Sequence, residues 1–193
     1  KICSLQSIFY NSGLNIHENF KESVNHFKKV EEVCHLLDCD YVVFGSPKTR
    51  NFPEDKSLEY KNKKMEQFFE EAKSIFNKKI GLEANPAVYK TNFCNGYDEV
   101  ADFVKGKDLL IHFDVGCSSI HPHNLKDSID FLDSSKVRNV HLSLPYLEPL
   151  TGEEDYLSVL DDNNLIEDKF VSIEMKKSSF SQIKKAISIF ERH

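Results

Sequence analysis

The feature that most constrains the fold is a regular alternation between short apolar runs and longer amphipathic segments. The apolar runs are rich in Val, Ile and Phe and nearly continuous, which is typical of parallel strands covered on both faces. They occupy residues 2–10, 41–45, 80–84, 109–114, 137–143 and 170–174. In the segments between them, apolar residues recur at the three-to-four spacing of helices. The sequence therefore predicts six strand–helix units.

Six such units predict an α/β fold with a parallel sheet. A doubly wound sheet and a (β/α)8 barrel both fit, and the later strands recur at about the 30-residue interval of a barrel. No GxGxxG sequence follows the first predicted strand. A dinucleotide-binding domain therefore has no support.

Four consecutive predicted strands end on a side chain of the kind that binds metal ions: Glu83, Asp114, His141 and Glu174. In parallel α/β folds, functional sites form at the carboxyl ends of the strands. Two glutamates, an aspartate and a histidine suit a hard or borderline divalent ion. Any one of the four alone could instead cap a helix or pair with a buried cation, but four in order predict a metal site.

Around these positions the sequence resembles a known family. The segments "LEANP", "HFDVG", "VHLS" and "SIEMK" resemble the metal-site strands of the xylose-isomerase-like TIM barrels, especially the sugar phosphate isomerases/epimerases. The segments "LQSIFY" and "VVFGSPKTR" resemble the earlier strands of that family. The resemblance implies a (β/α)8 barrel in which about six units are visible. It also implies that two further units precede Lys1, so residues 1–193 are expected to form a single, partial barrel domain.

The resemblance further implies one divalent ion held by Glu83, Asp114, His141 and Glu174, with Mn²⁺ the first expectation and Mg²⁺, Co²⁺ or Zn²⁺ as alternatives. Such an ion acts as a Lewis acid on a sugar carbonyl and stabilises an enediolate. By resemblance, Glu83 and Glu174 are the catalytic acid and base that exchange the proton. The expected function is isomerisation or epimerisation of a sugar or sugar phosphate.

Five further residues are candidates for substrate binding: Gln6, Arg50, Asn85, His112 and Lys176. His112 precedes Asp114 by two residues, and Lys176 follows Glu174 by two, so each shares a strand face with a predicted ligand. Each candidate also has a simpler interpretation, as a buried hydrogen-bonded group or a solvated charge.

Two positions depart from the family pattern. Many relatives have a histidine three residues after the metal aspartate, where this chain has Cys117. Leu144 occupies a position where relatives often have glutamate. An open arc of six strands would also leave two unpaired edges, which predicts either a covering partner, including a homo-oligomer, or further chain.

The composition limits the alternatives. A net charge of −6 argues against a nucleic-acid partner, and no apolar run is long enough to span a membrane. Five cysteines without a CxxC pair predict reduced thiols and a cytoplasmic protein. The alternative functions are a polyol or inosose dehydratase on the same site, a non-catalytic degraded barrel that binds a ligand, and an endonuclease-IV-like repair enzyme.

Overall fold

The fold is a parallel sheet that curls into a half-barrel, seen in a computed structural model that describes residues 2–192. Its five strands are hydrogen-bonded in chain order. The strands are β1 (Tyr41–Phe44), β2 (Lys79–Glu83), β3 (Leu110–Asp114), β4 (Val137–Leu142) and β5 (Phe170–Ile173). All four pairings are parallel, so the carboxyl ends of the strands lie along one rim.

Helices connect the strands and cover the convex face. They are α1 (Phe20–Leu36), α2 (Leu58–Lys73), α3 (Tyr97–Val104), α4 (Val115–Ser118), α5 (Leu125–Asp130), α6 (Tyr156–Asp161) and α7 (Phe180–Ile187). Short 3₁₀ turns occupy Ala87–Tyr89, Ser134–Lys136, Pro145–Leu147 and Phe190–Arg192. Within residues 2–192, no helix is long and apolar enough to cross a membrane.

An aromatic core lies between the sheet and the first two helices. Phe44 on β1 packs against Phe68 and Phe69 of α2, with ring centroids 5.7 and 5.3 Å apart. Phe27 on α1 contacts Phe68 and Phe76 from the other side. Because aromatic side chains bury large apolar areas, these contacts hold the helix layer firmly against the outside of the sheet.

The first predicted strand, over residues 2–10, is wrong in extent. Only Leu5 pairs with β1, donating its N–H to the carbonyl of Tyr41 and accepting one from Val43. Ser7 then has a φ of 55°, and a turn closes where the Tyr10 N–H donates to the Ser7 carbonyl. The left-handed backbone at Ser7 ends the extended conformation, so the described chain has five strands and one isolated bridge.

A β-bulge in β4 sets which side chains face the concave side. Ile111 pairs with Val137 but His112 pairs with Asn139, so Arg138 is an extra residue. The Arg138 guanidinium bonds both Asp40 oxygens at 3.1 Å and lies over the Tyr41 and Phe170 rings. A bulge shifts the alternation of side chains between the two faces of a strand. Arg138 can therefore reach Asp40, Tyr41 and Phe170, while Asn139 and His141 remain on the concave face.

Candidate metal centre

The four predicted ligands converge at the carboxyl ends of β2 to β5. One donor atom from each of Glu83, Asp114, His141 and Glu174 can be chosen so that all lie within 4.8 Å of one another. Strand register brings them together, because Asp114 is the partner of His141 across β3 and β4. Glu174 follows directly after β5 and donates its N–H to the Leu142 carbonyl, which continues the ladder by one residue.

On one side of the cluster, His141 lies between two carboxylates. Its Nδ1 is 2.9 Å from Glu174 Oε2 and 3.8 Å from Asp114 Oδ2. The other oxygen of Glu174 accepts a hydrogen bond from Gln6 Nε2 at 3.0 Å. Both oxygens of Glu174 are therefore held in place, one by His141 on β4 and the other by Gln6 in the segment before β1.

Asp114 is fixed by both backbone and side-chain donors. Its Oδ1 accepts the Cys117 N–H at 2.6 Å, which caps α4, and the Ser143 hydroxyl at 2.9 Å. Ser143 in turn accepts the Gly116 N–H at 2.9 Å. The capping role and the role in the cluster thus coexist in one carboxylate, because Oδ1 makes these bonds while Oδ2 faces His141.

On the opposite side, Glu83 lies in a closely packed pocket. Asn85 Nδ2 donates to its Oε2 at 3.4 Å, and the buried Arg50 donates to its backbone carbonyl at 2.7 Å. A Cβ at Gly45 would collide with the same Oε2, so only glycine leaves space for this carboxyl orientation. His112 Nε2 lies 3.9 Å from Glu83 Oε1, beyond hydrogen-bond distance.

The carboxyl groups have opposite electrostatic surroundings. Burial and the neighbouring Asp114 carboxylate raise the pKa of Glu83 to about 8. Burial also raises the pKa of Asp114, against the hydrogen bond from Cys117. Burial alone would raise the pKa of Glu174 as well, but the hydrogen bond and charge of His141 lower it below its usual value. Burial lowers the pKa of His141, but the carboxylates outweigh burial and raise it.

This donor set fits a divalent cation. Three carboxyl groups meet at a single imidazole, and the raised pKa values of Glu83 and Asp114 reflect uncompensated negative charge in a buried place. Three oxygen-bearing ligands and one nitrogen ligand form the kind of set that binds hard or borderline divalent ions. The chain therefore contains a candidate site for a divalent metal ion.

The other predicted site residues take different positions. Gln6 and Asn85 touch the cluster through Glu174 and Glu83. Arg50 is fully buried and lies behind Glu83, so it is not a loop charge at the mouth of the site. His112 is also fully buried, with its ring 4.1 Å from that of His141. Lys176 lies half-exposed in an ion pair with Glu148.

A cavity of about 290 Å³ opens over the cluster. Its walls are Pro47, Glu83, Asn85, Tyr89, Asp114, Cys117, Tyr146, Leu147 and Glu174. A larger cavity of about 570 Å³ lies beside it, between residues 7–15 and 46–49, and shares only Pro47 with the first. We regard the smaller cavity as the candidate substrate site, because three of the four predicted ligands line it.

The sequence interpretation missed several residues around the site. Tyr97 donates its hydroxyl to the His112 carbonyl at 3.0 Å and accepts the Asp114 N–H at 2.6 Å, which supports the end of β3. Ser143 could have been found, since it follows His141 by two residues and so shares its face. Tyr89 and Tyr146 had no such signal, because they lie in turns whose course the local sequence does not specify.

Comparison with known proteins identifies the fold. No model of a known protein family matches the chain, and no curated protein matches it. The chain is similar to the structure of 3-keto-D-glucoside 4-epimerase, YcjR, from E. coli, with a TM-score of 0.69 and 14% identity, covering 99% of this chain and 78% of that one. It is also similar to the IOLI protein with a bound zinc atom, with a TM-score of 0.67 and 18% identity, covering 98% and 75%.

A third similar structure is AP endonuclease, family 2 from Brucella melitensis, with a TM-score of 0.73 and 15% identity, covering 94% of this chain and 74% of that one. Together these matches show that the chain has the fold of the xylose-isomerase-like TIM barrels. At such low identity they show the fold alone. The similar structures include both an epimerase and an AP endonuclease, so the shared fold does not determine the activity.

Proposed function

We propose that this protein is a divalent-metal-dependent isomerase or epimerase of a small sugar or sugar phosphate. The observation that carries this proposal is the convergence of Glu83, Asp114, His141 and Glu174 within 4.8 Å beneath a cavity of about 290 Å³. These four residues would hold the ion. When bound, a divalent ion supplies Lewis-acid polarisation of a carbonyl oxygen.

The two glutamates are the proposed acid and base. They come from β2 and from the end of β5, at opposite sides of the cluster, and both line the cavity. Each carboxyl group is oriented by an amide, since Asn85 donates to Glu83 and Gln6 donates to Glu174. One carboxylate takes the proton from the carbon next to the sugar carbonyl, and the other returns a proton to the substrate.

Other residues around the cluster have supporting roles in this proposal. Asp114 and His141 bind the ion and take no proton from the substrate. Arg50 acts behind the site, where its guanidinium donates to the Glu83 carbonyl and fixes the end of β2. Tyr89 and Tyr146 form part of the cavity wall and would contact one side of a bound sugar.

The test is hydrogen–deuterium exchange into a panel of free and phosphorylated ketoses, followed by NMR in D₂O with Mn²⁺-loaded protein. We expect exchange at a carbon next to the carbonyl of at least one sugar, and loss of exchange in Glu174→Gln. The matched control is Glu148→Gln, which changes a half-exposed glutamate outside the cluster. Mn²⁺ binding without exchange in any sugar would contradict the proposal and favour the dehydratase or the non-catalytic barrel.

An endonuclease function is less well supported. The net charge of −6 opposes binding to a phosphate backbone, and Cys117 occupies a position where the resemblance leads one to expect a histidine. The absence of a nucleic-acid partner stays a prediction. An incision assay on duplex DNA that contains an abasic site tests it, with no cleavage expected above that of the Glu174→Gln variant.

A further inference from the structure

Beneath the metal cluster lies a layer of buried polar atoms without hydrogen-bond partners. Both ring nitrogens of His112 are in this state, as are Asn139 Oδ1 and the Tyr41 hydroxyl. All three residues are at most 2% exposed, and they lie on the concave face of β1, β3 and β4. Buried polar groups in native proteins are nearly always satisfied, so such a group indicates a partner that protein atoms do not supply.

His112 is positioned to bind the same ion as two members of the metal cluster, Glu83 and His141. It pairs with Glu83 in the β2–β3 register, and its Nε2 lies 3.9 Å from Glu83 Oε1. That separation is too long for a hydrogen bond but within the span of two ligands that each lie about 2.0–2.2 Å from one ion. The His112 ring also meets the His141 ring edge-on, with centroids 4.1 Å apart.

We propose that Glu83, His112 and His141 form a second cation position in the floor of the site, an alternative to the position among Glu83, Asp114, His141 and Glu174. One donor atom from each of these three residues can be chosen so that all lie within 4.8 Å of one another. The floor position has two nitrogen ligands and one oxygen ligand, whereas the upper position has three carboxyl ligands and one nitrogen. The two sets share Glu83 and His141, so one ion occupies one position or the other.

The two ligand sets suit different metals. Imidazole nitrogen is preferred by borderline ions such as Zn²⁺ and Co²⁺, while carboxylate oxygen suits Mn²⁺ and Mg²⁺. We therefore assign Zn²⁺ and Co²⁺ to the floor position and Mn²⁺ and Mg²⁺ to the upper position. This inference goes beyond the proposed function, because it concerns which metal the chain binds and where, whatever sugar it converts.

Asn139 carries an unpaired oxygen acceptor on the strand next to His112, although the two side chains are not hydrogen-bonded to each other in this structure. Histidines that bind metals usually donate their second ring N–H to an oxygen acceptor, which fixes the ring. Asn139 is the register partner of His112 on β4, and its Oδ1 is buried without a partner. With Nε2 on the ion, the Nδ1–H of His112 would need an acceptor, and Asn139 Oδ1 is an unpaired candidate on the adjacent strand. A bridging water would also satisfy these atoms, but it would not make Zn²⁺ affinity depend on His112.

The test compares two metals and two variants by calorimetric titration of metal-stripped protein at one pH. In His112→Gln, we expect the Kd for Zn²⁺ to rise by about 10-fold or more, while that for Mn²⁺ changes by less than about threefold. In Asp114→Asn, the larger loss should fall on Mn²⁺. The matched control is His35→Gln, which alters an exposed histidine on α1. Equal losses of both metals in His112→Gln, or no loss, would overturn the proposal.

A second measurement uses the wild-type chain, so it does not depend on whether a variant folds. Co²⁺ bound at a low-coordinate position with two imidazoles absorbs visible light strongly, whereas six-coordinate Co²⁺ among oxygen ligands absorbs weakly. We expect the strong spectrum, and a weak spectrum would overturn the floor position. The proposed function can survive that result, because it is tested separately by deuterium exchange with the Mn²⁺ form.

Discussion

His141 Nδ1 and Glu174 Oε2 lie 2.9 Å apart, so a histidine inside β4 meets a glutamate just beyond the end of β5. The hydrogen bond joins the last two strands at the rim of the half-barrel. It also gives a lone carboxylate at the end of an apolar strand a partner, which burial in such a place requires. The same two atoms are available to an ion once the proton between them is lost, so metal binding and this hydrogen bond compete.

The first prediction concerns the loss of that carboxylate. Glu174→Gln removes a charged ligand and leaves an amide of the same size, so we expect the Kd for Mn²⁺ to rise by about 10-fold or more. Thermal stabilisation by added metal should fall in parallel, because the stabilisation at a given metal concentration decreases as the Kd rises. Calorimetry and melting curves at several Mn²⁺ concentrations measure both effects.

Glu148→Gln is the control for this prediction, since it removes a glutamate that pairs with Lys176 outside the cluster. Its Mn²⁺ affinity should match that of the wild type. If both variants respond to Mn²⁺ as the wild type does, Glu174 is not a ligand.

The second prediction concerns the pH dependence of the metal-free protein. The pKa of Glu83 is about 8 in the folded chain and 4.5 in its unperturbed state. Between these pH values, Glu83 is protonated in the folded protein and ionised in the unfolded chain. Its contribution to the free energy of unfolding is therefore fully present below about pH 4.5 and is lost as the pH rises through about 8. Asp114 and His141, whose pKa values are also raised, add to this slope, while Glu174 opposes it.

Urea unfolding in the presence of a chelator, from pH 5 to pH 8, measures this slope. We expect Glu83→Gln to lower the loss of stability over that interval by an amount on the order of 2–4 kcal/mol, because the amide does not titrate. A saturating divalent ion should also reduce the slope, because it replaces the proton as the balancing charge. An unchanged slope in Glu83→Gln would show that Glu83 ionises in the folded chain as it does in the unfolded one.

The third prediction concerns Ser143, which links Asp114 to the backbone of α4. Ser143→Ala removes the donor to Asp114 Oδ1 and leaves the Gly116 N–H without its acceptor. We expect a loss of about 1–3 kcal/mol in the free energy of unfolding, because a buried donor becomes unsatisfied. Metal affinity should fall too, since Asp114 loses part of its orientation.

The matched control is Ser119→Ala, where the hydroxyl bonds only the Val115 carbonyl in a less buried place. It should cost less stability and leave the affinity for Mn²⁺ unchanged. Equal effects of the two substitutions on metal affinity would argue that Ser143 has no specific role at the site.

Much of this arrangement could be predicted from the sequence. Strand periodicity placed Glu83, Asp114 and His141 at the ends of successive parallel strands, and that topology alone brings such ends to one rim. Periodicity failed over residues 2–10, where a left-handed Ser7 breaks an otherwise apolar pattern. It also failed to locate Arg50, because whether a loop charge turns inward depends on contacts distant in the chain, here the Glu83 carbonyl.

The fourth prediction concerns the charge of the substrate. The described residues that line the smaller cavity include three carboxyl groups and no lysine or arginine. Lys176 is engaged by Glu148 outside the wall, and Arg50 is buried behind Glu83. Apart from the bound ion, a phosphate group would meet no lysine or arginine in this cavity and would face three carboxyl groups, so we expect the Mn²⁺-loaded protein to bind neutral ketoses more tightly than their phosphates. Calorimetry with D-fructose and D-fructose 6-phosphate, and with two further such pairs, measures the difference. Tighter binding of the phosphates would contradict this prediction. If salt and the Lys48→Gln substitution weakened that binding, the phosphate would lie beside Pro47, in the neighbouring cavity that Lys48 lines.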